Sequence, residues 1–110
     1  MAKDKLNEKL TARFGHKLAE WKEQYAPRQL SVIEVEDKVA VLRPVGANEV
    51  ATYTMTVAGD GGLETASRYL LEELWLGGDD ELRNDEEYFI SAMLAVQQTI
   101  ELKKSSFTRL

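Results

Sequence analysis

The chain has 110 residues, enough for one domain with a modest core. Its hydrophobic content of 44% excludes wholesale disorder, and the absence of cysteine excludes a disulfide framework or a thiolate metal site. The net charge of −5 is unevenly spread: residues 1–28 carry +3 and residues 60–90 carry −8, and so acidic a middle repels phosphate and argues against nucleic acid as a partner.

Residues 4–25 carry Leu6, Leu10, Phe14, Leu18, Trp21 and Tyr25 at spacings of three and four, which predicts one amphipathic helix. Gly15 weakens it, and Pro27 stops it near Tyr25 or Ala26. The only histidine, His16, falls on its polar side with no partner in sequence, and reads as a surface residue. Residues 30–35 and 38–42 are rich in β-branched residues and predict a β-hairpin turning at Glu36-Asp37. Ile33 and Val35 share a face, as do Val39 and Val41, and Pro44 ends the second strand. An isolated hairpin is marginal in water, so this one must pack on helices.

Residues 46–58 fit two patterns. Threonines alternate with apolar residues over 50–57, which favours a strand, while Val50, Tyr53, Thr54 and Val57 fit a helix that Asn48 could cap. The glycines around Asp60 demand a loop, and their acidic surroundings and lack of a following Gly-Lys-Ser/Thr argue against a phosphate cradle. Residues 63–76 predict a helix with Ala66, Tyr69, Leu70, Leu74 and Trp75 inward and Gly77 as a left-handed cap. Asn84 and Glu87 form a capping-box pattern opening a last helix to about Lys103, with Phe89, Met93, Val96 and Ile100 on one face, Ala92, Ala95 and Leu102 widening it, and Lys103 and Lys104 suiting its end.

These elements predict a single α+β domain over residues 1–110: an N-terminal amphipathic helix over 1–26, a β-hairpin over 30–43, a helical part over 46–104 made of two to three helices, and a tail over 105–110. No signal peptide or apolar run of membrane-spanning length is apparent, so a cytoplasmic protein with no membrane partner is expected. The acids Asp79, Asp80, Glu81, Asp85, Glu86 and Glu87 could supply hard oxygen ligands, but an EF-hand count from Asp79 fails at Arg83 and Asn84. Helix capping accounts for most of them, and a divalent-metal enzyme ranks last among the readings. No nucleophile, base and orienting group fall together, so no catalytic residue, metal or cofactor is expected.

At Val41-Leu42-Arg43-Pro44 and at Leu74-Trp75-Leu76-Gly77-Gly78-Asp79 the chain resembles small tail assembly chaperone-like proteins of phages and prophages. The resemblance spans roughly residues 18–110 and implies a helix over 46–58, an acidic cap over 80–87 and a long final helix. It further implies a non-enzymatic protein of the host cytoplasm that binds a tape-measure or other tail protein during virion assembly. Candidate contact residues, chosen from their places at the chain ends, are Phe14, Trp21, Tyr25, Phe107 and Leu110. The alternative is a structural or adaptor protein that homo-oligomerises, its basic N-terminal segment facing the acidic middle of another copy.

Overall fold

A computed structural model describes residues 2–100 and 108–110. Two helices, α1 (Ala2–Phe14) and α2 (His16–Tyr25), precede the hairpin β1 (Ser31–Val35) and β2 (Lys38–Leu42). Next come α3 (Ala47–Ala58), α4 (Gly62–Leu74), a strand β3 (Trp75–Gly78), a one-turn α5 (Glu81–Asn84) and α6 (Glu86–Val96), which ends in a 3-10 turn over Gln97–Thr99. The class is α+β, as expected. The predicted Leu102, Lys103 and Lys104 of the last helix, and tail residues 105–107, lie outside the described residues.

The sheet has three antiparallel strands in the order β1-β2-β3. Val39, Ala40, Val41 and Leu42 of the central strand are all fully buried, because each face of the sheet is covered. This is why the strand reads as a continuous apolar run rather than an alternation. On one face Ile33, Ala40 and Leu42 pack with Leu70, Leu71 and Leu74 of α4, Leu82 of α5 and Phe89, Ala92 and Val96 of α6. On the other, Val39 and Val41 pack with Leu10 of α1 and Leu18 of α2, flanked by Leu6, Phe14, Trp21, Leu30, Val32 and Leu76. The hairpin turns at Glu36-Asp37 as expected, with Val35 opposite Lys38. Glu36 takes φ 55°, a cost that a glycine would not incur.

Three sequence expectations are corrected. The first concerns the N-terminal helix, which is broken at Gly15, where φ is 62°. The amine of Lys22 lies 2.9 Å from the Asn7 carboxamide oxygen. Fifteen residues of straight helix would separate the two by about 22 Å, so α1 and α2 fold back on each other. The apolar stripe is thus shared between two helices that close on the sheet from one side.

The second concerns Trp75-Leu76-Gly77-Gly78, which is a strand paired with β2 and not the end of a helix with a left-handed cap. Helix α4 stops at Leu74, whose carbonyl accepts from Arg43 N–H at 2.8 Å. Trp75 then joins the α4/α6 side of the core and Leu76 the α1/α2 side. A Cβ on Gly77 would lie 3.0 Å from Trp21 Cη2 and 3.3 Å from Phe14 Cε1, so the bare backbone is what lets both aromatic rings settle on the strand.

The third concerns the last helix, which is capped by Asp85 rather than by Asn84 and ends at Val96, short of the expected Lys103. The Asp85 carboxylate accepts from the N–H groups of Glu87 and Tyr88 at 3.0 and 3.3 Å.

Residues 47–58 form a helix despite their strand-like composition. Thr52, Thr54 and Met55 lie on its exposed side, and Thr56 Oγ1 donates back to the Thr52 carbonyl at 2.7 Å. Packing along α4 outweighs β-propensity here. The start of α3 is fixed by Glu49, whose Oε1 accepts from Gly46 N–H at 2.9 Å and from Arg43 at 2.8 Å. Both donors, Arg43 first, hold the Glu49 carboxyl below its usual pKa. Glu49→Ala is expected to lower stability by about 1–2 kcal/mol. A urea midpoint that falls with an unchanged slope would register this.

Candidate functional site

The turn at Gly15 has a consequence at the open end of the helical pair. Leu6 and Leu10 of α1 face Leu18 of α2 over the sheet, and with Leu30, Val32 and Val41 they form the apolar floor of an open groove of ≈ 560 Å³. Asn7, Lys22 and the segment Ala26 to Gln29 form its rim. Several side chains of a bound molecule fit in such a volume.

The rim carries positive charge. Lys22 donates to Asn7 and Arg28 donates to the Val45 carbonyl, but neither faces a carboxylate among the described residues. The same holds for Lys5 and Lys17 on the same helices, whereas Lys9, Arg13, Lys38, Arg43, Arg68 and Arg83 all form ion pairs. Among the described residues no acid, histidine, serine, threonine or tyrosine lines the groove. It can exclude water from apolar groups and attract negative charge at its mouth.

The acidic stretch has a different role, which is to fasten the chain to itself. Asp79 receives both terminal nitrogens of Arg13, at 2.6 and 2.8 Å, and its Oδ2 accepts from Val39 N–H at 2.9 Å. The Arg13 guanidinium, aided by the Val39 amide, holds the Asp79 carboxyl below its usual value against the opposing effect of burial. Asp80 pairs with Arg83, which lies over the Trp75 ring and also reaches Glu72. Glu81 pairs with Lys38 at 3.0 Å and raises its pKa. Asp85, Glu86 and Glu87 occupy the start of α6, where the helix dipole favours them. Among the described residues no three His, Asp or Glu side chains converge so as to hold a metal ion.

The candidate contact residues are dispersed. Phe14 and Trp21 lie together, ring centroids 5.4 Å apart, half-buried against β3. Tyr25 is half-buried at the end of α2, Leu110 is fully exposed, and Phe107 lies outside the described residues. None of the four described residues lines the groove. Its floor residues were legible as members of an apolar stripe and a strand, but a groove between them requires the break at Gly15, which the glycine signals only weakly. His16 is exposed at the start of α2. Among the described residues no helix is long and apolar enough to cross a membrane. Comparisons of the chain with family models, with curated proteins and with solved structures return no match.

Proposed function

We propose that the chain is a non-enzymatic, protein-binding assembly factor of the phage or prophage tail assembly chaperone kind. In this reading it works in the host cytoplasm and shelters an apolar segment of a tape-measure or other tail protein until that protein is built into the virion. The observation that carries it is the open apolar groove with a cationic rim. A surface of this kind suits transient capture, because apolar contact supplies affinity while the charged rim steers encounter. The resemblance at Trp75-Leu76-Gly77-Gly78-Asp79 supplies the choice of client.

Coexpression with a tape-measure protein tests the proposal. The client is expected to shift from the insoluble to the soluble fraction and to copurify with the chain, and Leu10→Glu, which puts a charge in the groove floor, should abolish copurification. A client whose solubility and recovery are the same with and without the chain would overturn the reading.

A homo-oligomeric adaptor is the second reading. Ile90 and Leu94, one turn apart on α6, are 51% and 60% exposed, which favours it. Part of the attraction between the basic N-terminal segment and the acidic middle is already used within the chain, by Arg13 with Asp79. Static light scattering separates the two readings, since an adaptor self-associates without any client.

A further inference from the structure

The groove lies beside an unpaired sheet edge. In β2, the Val39 carbonyl accepts from Asp79 N–H, the Val39 N–H donates to Asp79, and Arg43 N–H donates to Leu74. Residues 39, 41 and 43 therefore turn their backbone groups toward β3, and residues 38, 40 and 42 turn theirs toward β1. The register sets Val35, Ile33 and Ser31 opposite those three. This leaves Val32 and Glu34 with N–H and C=O directed away from the sheet, and neither has a backbone partner among the described residues. Val32 also sends its side chain into the groove, so the open backbone edge and the apolar floor adjoin at the same residue.

We propose that the groove takes an extended segment of a partner protein as a fourth strand along β1, with alternate apolar side chains in the groove and acidic residues beside Lys22 and Arg28. This rests on the reading of the groove as a client site and specifies the client's conformation and chemistry. A row of outward N–H and C=O groups is matched by polypeptide backbone and left unmatched by a lipid chain. The period of two along an added strand turns every second side chain to the face of the sheet that Val32 and the groove share. The two rim cations, which face no carboxylate among the described residues, favour acids in the segment. Strand β3 is a poorer template, being four residues long, half glycine and irregular in register against β2.

The test uses a short fluorescent peptide in which valine alternates with threonine and paired glutamates flank both ends. Glu34→Pro removes the outward N–H without touching a bond of the sheet, as edge strands tolerate, and Glu34→Ala controls for loss of the exposed pair with Lys9. The whole chain is expected to bind the peptide, Glu34→Ala to bind it equally well, and Glu34→Pro to bind at least about tenfold more weakly. Should Glu34→Pro fail to fold, wild-type protein is titrated with peptides N-methylated at alternate residues. Methylation in one register should abolish binding and in the other should leave it intact.

Equal binding to Glu34→Pro, or indifference to both N-methyl registers, overturns strand addition. So does a chain that binds no peptide, or one that dimerises through β1 and is made monomeric by Glu34→Pro. Client capture by coexpression is scored separately. A client solubilised equally by wild type and Glu34→Pro leaves the proposed function standing and removes only the strand, while peptide binding without client rescue does the reverse.

Discussion

Gly78→Ala is expected to remove a large part of the domain's stability. Gly78 has φ +149°, a conformation that residues with a Cβ rarely adopt. A Cβ built there lies 2.3 Å from the Val39 carbonyl oxygen and 2.6 Å from Ala40 Cα, both backbone atoms of the central strand. No rotamer change can relieve the clash, so β3 must lift from β2. With it go the Asp79 contacts to Arg13 and Val39, which lie one residue further on. Backbone strain and the lost pairing together cost on the order of 3–5 kcal/mol. A domain of this size has about 5–15 kcal/mol in total. Thermal unfolding followed by circular dichroism should show a midpoint at least about 15 °C lower. Gly62→Ala gives the contrast: φ there is +67° but nothing lies within 4 Å of the added Cβ, so only the conformational cost of about 1 kcal/mol remains. Equal effects of the two substitutions would show that the close approach of Gly78 to β2 is not what matters.

The same strand shows where sequence stops being informative. The pattern over 63–74 is strongly helical, and Trp75 and Leu76 extend its apolar content, so helix is the natural continuation. What ends the helix is a partner far away in sequence, since β3 pairs with residues 40–42. The hairpin, by contrast, joins neighbours in sequence, and its strands and its turn were legible. For residues 47–58, the threonines pointed to strand, but they decorate the solvent side of a helix whose placement is decided by α4. The acids of 79–87 were legible as a cluster, but only Asp85, Glu86 and Glu87 cap α6 as expected, while Asp79, Asp80 and Glu81 hold cations. The ionic partner of Asp79 was not legible, because Arg13 is 66 residues away. The groove is least legible of all, since it exists only once α1 and α2 have folded back at Gly15 and closed over one face of the sheet.

Asp79→Ala is the substitution that separates structural acid from binding acid. Asp79 joins α1 to the sheet through two charge-assisted bonds from Arg13, and it satisfies the N–H of Val39, a residue with no exposed surface. Truncation leaves that N–H without its acceptor and removes the charged tie between α1 and the sheet, at a cost of about 2–4 kcal/mol. The sign of its pH dependence follows from the lowered pKa. The carboxylate's contribution is fully present above its ordinary value of 3.8 and is lost as pH falls through the lower value it has in the folded chain. Wild type and Asp79→Ala should therefore differ by a constant amount near neutral pH and converge below about pH 4. Urea titrations across this range measure the difference directly. A gap that instead widened on acidification would mean that the carboxylate is destabilising as placed. Because Arg13 anchors the helix that carries Leu6 and Leu10, loosening this pair should also weaken the groove. Client capture by Asp79→Ala should fall even under conditions where the protein stays folded, while Asp80→Ala, which removes an exposed pair with Arg83, should leave capture unchanged.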